Sequence, residues 1–115
     1  MNQSNNKLIE NLCRVLSVLD TPQDYKTFLL DLCTPAEIQA MADRWHVVHP
    51  IKQGHSYRQI HADTRVGVTT IGRVAPYITH GYGGYNLAYE RQQVIKNANK
   101  SKNKNSNSKK RASES

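Results

Sequence analysis

The 115-residue sequence predicts an all-α protein, and three observations carry that expectation. Apolar residues return every three or four positions through the first two thirds of the chain, the period of a helix with one buried stripe. Three segments open on a hydroxyl residue with an acid or amide three places on: Thr21 with Asp24, Thr34 with Glu37 and Ser56 with Gln59. Such pairs satisfy the free backbone N–H groups at a helix start. No convincing strand, with the apolar and polar alternation of a half-buried face, stands anywhere in the chain.

Leu8, Leu12, Val15, Leu16 and Leu19, widened by Ile9 and Val18, form the stripe of a first helix over about residues 5–19. Thr21 caps a second, with Pro22 tolerated in the first turn and Asp24 near the positive end of the helix dipole. Tyr25, Phe28, Leu29 and Leu32 are its expected buried residues. Thr34, Pro35 and Glu37 repeat the start as a capping box, and the third helix is expected to bury Ile38, Met41, Ala42, Trp45 and Val48. Trp45 reads as a core or dimer anchor. Pro50 lacks an N–H and sets its ring against the carbonyl of His46, so a kink or break is expected there.

Gly54 closes that region, and Ser56 with Gln59 makes a third capping box for a short helix, SYRQIHADT. A turn around residues 65–67 leads into VTTIGRVAPYITHG. Two short helices at a steep angle need apolar contacts where they touch. Ile60, Val66, Ile71 and Val74 supply them, which reads as a helix-turn-helix over about residues 56–80. Val68, Thr69, Thr70 and Arg73 are left on the early, outward part of its second helix. GYGGYNLAYERQQVIK then begins with a glycine corner and ends in a short helix over Leu87, Tyr89 and Val94.

The net charge of +7 is unevenly spread. From Lys96 onward seven basic residues face one acid, leaving +6, whereas residues 1–95 hold nine basic and eight acidic residues, leaving +1. The fold is nearly neutral, so overall charge is weak evidence for nucleic acid. Residues 1–96 are read as the folded domain. Residues 97–115 are mostly Asn, Ser and Lys, without apolar groups to offset ordering entropy, and read as a disordered basic tail.

The polar N-terminus lacks the apolar run of a secretory signal, and no stretch approaches the roughly 18 apolar residues of a membrane span. A cytoplasmic protein without a membrane partner is expected. Cys13 and Cys33 lie in apolar patterns and read as core thiols. Zinc at Cys33, His46 and His49 lacks the close cysteine pair of a finger, so no metal is expected. No histidine is joined by motif to a nucleophile and a carboxylate, and GYGGY lacks the lysine and strand-helix setting of a phosphate loop. No catalytic residue, and so no enzyme, is predicted.

The blocks LLDLCTPAEIQAMADRW, QGHSYRQI, TTIGRV and GYGGYNLAYER, in this order over about residues 28–91, resemble the YerC/YecD-like branch of the Trp-repressor superfamily. The resemblance implies an intertwined helical homodimer with two reading heads, binding double-stranded DNA as a sequence-specific transcriptional regulator, most simply a repressor. It places Arg58 at a DNA-contacting arginine, and Val68, Thr69 and Gly72 on the base-reading face. Arginine donates two bonds to guanine, while threonine and valine methyls pack on thymine. Ser56, Thr70 and the tail lysines suit phosphates. Arg44 and Arg73 match the pair that brackets a tryptophan co-repressor.

Four features depart from the family pattern. His61 and Arg65 stand where a small residue and a glycine are usual, and Pro50 and Pro76 are additions. Pro76 is expected to bend the second helix or end its first segment after Ala75. Apart from these, the resemblance sets Val74 where the Trp repressor itself has a glycine, and its branched side chain is expected to occupy the ligand pocket, which argues against tryptophan. No cofactor is therefore assigned, although another small-molecule co-effector stays open. Arg44 and Arg73 have alternative partners in Asp31, Asp43 or phosphate. The competing reading of the whole chain is nonspecific DNA or RNA binding through the basic tail.

Overall fold

The computed structural model describes the backbone of residues 3–114 and the side chains of residues 5–100. The described residues form seven helices and no strand: α1 (Gln3–Ser17), α2 (Pro22–Leu32), α3 (Pro35–His46), α4 (Val48–Lys52), α5 (Tyr57–Thr64), α6 (Val68–His80) and α7 (Gly84–Glu114). They fall into two compact units, Met1–Ala42 and Asp43–Ser115.

In the first unit the helix starts follow the sequence closely. Thr21 Oγ1 accepts from Asp24 N at 3.2 Å, and Thr21 N donates back to Asp24 Oδ2 at 3.3 Å. Thr34 repeats the arrangement, accepting from Glu37 N at 3.1 Å and donating to Glu37 Oε1 at 2.8 Å. The bond from the Thr34 backbone, and then that with its side chain, hold the Glu37 carboxyl below its ordinary pKa.

The apolar stripes of this unit are not covered. Neither α2 nor α3 contains a buried residue. On α1 Leu8 is 66 % exposed, Leu12 and Val15 are also exposed and Leu16 is half-buried; the helix ends at Ser17, short of the expected residue 19, and beyond it Val18 is 78 % exposed and Leu19 half-buried. Of the residues expected inside α2, Phe28 and Leu29 are half-buried while Tyr25 and Leu32 are exposed. On α3 Ile38 is half-buried, but Met41 and Ala42 are exposed. Cys13 is exposed and Cys33 half-buried, both as free thiols. The reading of Cys13 as a core residue is thus corrected: it lies on the exposed part of α1, among Leu12, Val15 and other uncovered residues.

The second unit contains the core: Val47, Val48, Ile60, Val66, Ile71, Val74 and Ile78, with Trp45, Ile51, Tyr85 and Tyr89 packed against it. All four predicted helix-turn-helix contacts are among these residues. The helix breaks between His46 and Val48, at the carbonyl with which Pro50 cannot bond. Pro50 itself is the third residue of α4, where helical N–H groups have no intrahelical partner. At the other end Gly54 adopts φ 82°, His55 N bonds to Pro50 O at 3.1 Å and Gly54 N to Ile51 O at 3.0 Å. This pair of bonds closes a helix on a left-handed glycine.

Pro76 does not end the second helix of the motif. α6 runs continuously from Val68 to His80 through it, contrary to the expectation of an end after Ala75. A proline removes one bond, here to the Gly72 carbonyl. Val74 and Ile78, buried on either side, tie both halves of α6 to the same core.

Gly83, at φ 85°, turns the chain into α7. Asn86 Nδ2 donates to Ile78 O at 2.8 Å and so satisfies a carbonyl of the last turn of α6. Tyr89 is half-buried, whereas Leu87 and Val94 are exposed. The helix expected to be short has bounds that reach Glu114, taking in the segment read as a disordered tail. The side chains of residues 101–115 lie outside the described residues.

Candidate nucleic-acid interface

α5 and α6 share one apolar seam and leave one polar face. Ser56 opens α5 by accepting from Gln59 N at 3.1 Å, the first half of the expected capping box. That bond uses Ser56 Oγ as an acceptor and leaves its O–H able to donate. Arg58 follows one residue inside the helix and is exposed. On α6, Val68 is 52 % exposed and Thr69 and Arg73 are exposed, whereas Thr70 and Gly72 are half-buried. Thr70 therefore presents less of its hydroxyl to a partner than Thr69 does.

Gly72 has a neighbour that sequence reading did not single out. A Cβ placed there would lie 3.7 Å from Tyr57 Cε2, an ordinary contact distance. The Tyr57 ring, half-exposed at the first position of α5, thus borders the middle of α6. Gly81 is different: a Cβ there would strike the Tyr77 carbonyl oxygen, so the residue closing α6 has to be small.

The turn joining the helices is closed by hydrogen bonds on both sides of Arg65, which has φ 67°. Arg65 N bonds to His61 O at 2.9 Å. Thr64 Oγ1 donates to Ile60 O at 2.6 Å and accepts from Val66 N at 3.2 Å. His61 Nδ1 lies 2.8 Å from Val66 O, and since a carbonyl only accepts, the imidazole is the donor. His61 and Arg65, two of the four departures from the family pattern, are thus parts of one turn.

Arg44 and Arg73 stand at one cavity, of about 270 Å³, which they line with Tyr77 and Tyr85. Val74 does not line it: that side chain is completely buried in the core, so the expectation that Val74 occupies the pocket is not met, and two tyrosine rings stand in the wall instead. Tyr77 and Tyr85 also border an apolar hollow of about 390 Å³ with Trp45, Tyr82, Gly84 and Ala88. Elsewhere His49 Nδ1 and Tyr89 OH are 3.0 Å apart, Lys52 Nζ sits 5.0 Å from the Tyr89 ring centroid, and Lys52 also bonds to Asn86. These contacts join α4 to α7. They draw on residues 34 to 40 positions apart, which local patterning does not pair.

Among the described residues no group of three or more His, Cys, Asp or Glu side chains is placed to hold a metal ion. No described helix is long and apolar enough to cross a membrane.

Comparison with known proteins agrees with this architecture. Over 77 residues the chain is 35 % identical to the uncharacterized protein YerC of Bacillus subtilis (strain 168), a match covering 67 % of this chain and 73 % of that protein. The fold is similar to the crystal structure of a TrpR-like protein from Eubacterium eligens ATCC 27750, with a TM-score of 0.71 and 26 % identity, over 76 % of this chain and 90 % of that one. It is similar also to the crystal structure of a candidate Trp repressor from Staphylococcus aureus, with a TM-score of 0.72 and 27 % identity, over 81 % and 96 % of the two chains. The family model described as Trp repressor protein matches residues 7–93. With its helix-turn-helix built on its own core and that match across most of its length, the chain belongs to the Trp repressor family, a family of regulators and not of enzymes.

Proposed function

We propose that this protein is a sequence-specific DNA-binding transcriptional regulator, most simply a repressor, acting as a homodimer. The observation that carries the reading is the α5–α6 pair, with Ile60, Val66, Ile71 and Val74 buried beneath it and Arg58, Val68, Thr69 and Arg73 exposed. In such a motif the second helix enters the major groove and its early residues meet base edges. Arg58 is assigned to a guanine, Val68, Thr69 and Gly72 to the base-reading surface, and Ser56, Thr70 and the tail lysines to phosphates. Arg73 serves either DNA or the Arg44 cavity.

The uncovered stripes on α1, α2 and α3 support a dimer, because apolar surface left exposed beyond scattered single residues marks an association site. In this reading a second copy covers them. The cavity at Arg44 and Arg73 is the place for a small-molecule co-effector, with guanidinium groups for an anion and tyrosine rings for a planar group. Tryptophan is not assigned as that ligand.

Selection of genomic fragments by the purified protein, read for a two-fold symmetric motif, tests class and oligomer together. Arg58→Ala and Thr69→Ala are expected to weaken binding to the selected site by roughly tenfold or more, and binding to scrambled DNA far less, as loss of base contacts worth about 1–3 kcal/mol implies. Equal losses on both duplexes would favour the second reading, nonspecific DNA or RNA binding through the tail. The charge of +6 beyond residue 95 is the observation behind that alternative.

A further inference from the structure

Arg65 is the one described non-glycine residue with positive φ, and it lies at the corner of the reading head. Left-handed backbone is unfavourable for an L-residue and free for glycine. A glycine at this position would relieve the turn, so an arginine here needs both something to hold it and a use for its side chain.

The holding bonds come from both directions. Arg65 N is tied back to His61 O, and the chain just beyond Arg65 is tied by His61 Nδ1 and Thr64 Oγ1 to the carbonyl and N–H of Val66. His61 is thus bonded before and after the strained residue, once through its backbone and once through its ring. A side chain without a donor at this position would lose the second tie.

The use is electrostatic. The Arg65 side chain is exposed, and no ion pair engages it among the described residues. Residues 56–80 hold three arginines, Arg58, Arg65 and Arg73, against the single acid Asp63, within a stretch 1–95 whose charge balance is only +1. The basic character of the fold is therefore gathered on the helix-turn-helix, with Arg65 between the other two in the chain. In such a motif the first helix crosses the sugar-phosphate backbone while the N-terminal residues of the second meet base edges in the major groove, so a turn that joins the two lies between backbone and groove. A guanidinium fork matches two phosphate oxygens.

We propose that Arg65 is a phosphate-binding residue of the DNA interface, and that His61 is the positioning residue that holds its left-handed turn. The inference rests on the DNA-binding reading of the same head. Arg65 contributes affinity without reading sequence. His61 acts through the turn, and its ring carries a proton on Nδ1, because Val66 O can only accept.

Replacement of Arg65 by glycine in the full chain separates the two consequences, since it removes strain and charge together. Arg65→Gly is expected to melt at the same or a higher temperature than the parent, yet to bind selected and scrambled duplexes about tenfold more weakly at low salt. The slope of log K against log salt is expected to fall in magnitude by about one. Arg65→Lys keeps most of the slope. His61→Ala is expected to lower both melting temperature and affinity. Adding Arg65→Gly to it restores the melting temperature toward the parent value without a further loss of binding. Nitrogen chemical shifts of the His61 ring provide the readout that a merely space-filling role would not move, with the Nδ1–H form expected. Unchanged affinity and slope in Arg65→Gly would overturn the phosphate role while leaving the DNA-binding reading intact. The Nε2–H form at His61 would overturn the positioning role. A parent protein with no salt-dependent DNA binding would sink the underlying reading instead.

Discussion

The two units of the chain solve the same problem unequally. Residues 43–115 gather seven buried apolar side chains around the helix-turn-helix, whereas the α2 and α3 helices of the N-terminal region bury none and α1 leaves most of its stripe in solvent. Local helix signals are at least as strong in the first unit, where two complete capping boxes stand. The difference teaches that caps and periodicity determine where helices begin and which face wants cover. They do not supply the cover. In the reading proposed above, the head is built by one chain and the N-terminal helices by two.

The largest effects should come from one substitution in each unit. Ile71→Ala empties a site with no solvent exposure and is expected to cost about 2–5 kcal/mol, lowering the melting temperature at every protein concentration. For the parent, the melting temperature is expected to rise with concentration, as for any dimer whose folding and association are linked. Leu12→Asp, on the open stripe of α1, is expected to abolish that dependence and to yield a monomer by light scattering. A parent that remains a well-folded monomer at high concentration would remove the proposed division of labour between the units.

The glycines of α6 sharpen the comparison within the head. Gly81→Ala is expected to cost about 1–3 kcal/mol, the range for forcing atoms into filled space, because its Cβ meets backbone that cannot rotate away. Gly72→Ala meets only the Tyr57 ring at 3.7 Å, and is expected to gain about 0.5–1 kcal/mol from helix propensity. Chemical denaturation of the two variants checks both signs.

Smaller again is the cap of α3. Thr34→Ala is expected to cost about 1 kcal/mol near neutral pH, a usual value for a lost threonine cap. It also frees Glu37, whose carboxyl is held below its ordinary pKa of 4.5 by the Thr34 bonds. A carboxyl depressed in the folded state adds stability that is fully present above the unfolded pKa and lost as pH falls through the folded value. The gap between parent and Thr34→Ala is therefore expected to narrow below about pH 4.5. A gap independent of pH would assign the whole effect to the threonine hydroxyl.

Much of the head was legible in the sequence, for a physical reason. Ile60, Val66, Ile71 and Val74 lie within 15 residues, so spacing alone places them together. Thr21, Thr34 and Ser56 bond three residues ahead, and are equally local. What was not legible depends on separation or on context. The Tyr57 ring beside Gly72 and the His49–Tyr89 bond need the tertiary arrangement before they exist. At Pro76 local chemistry predicts a lost bond and allows either a bend or an end, while Val74 and Ile78 supply the packing that carries α6 past it. The stripes of α1 to α3 show where cover is wanted, but periodicity cannot say which chain provides it. In the candidate site, Arg58 and Thr69 could be placed by pattern, but the coupling of His61 to Arg65 through Val66 could not.

The smallest effect on stability is expected from the basic end of the chain. Composition supplies the argument: beyond Lys100 the sequence contains Asn, Ser, Lys and Arg with one alanine and one glutamate, and nothing large and apolar to bury. Truncation after Lys100 is therefore expected to leave the melting temperature nearly unchanged, and trypsin is expected to cleave this segment first. Its effect should appear in binding instead. The truncation removes Lys102, Lys104, Lys109, Lys110 and Arg111, whose attraction to phosphates acts through counterion release and follows the number of phosphates neutralised. Affinity for selected and scrambled duplexes should fall together and the salt dependence should flatten, while the ratio between the duplexes holds. A melting temperature lower by more than about 4 °C, or roughly 1 kcal/mol for a domain of this size, would show that the basic segment docks on the fold. The self-sufficiency of the C-terminal core would then have to be shared with it.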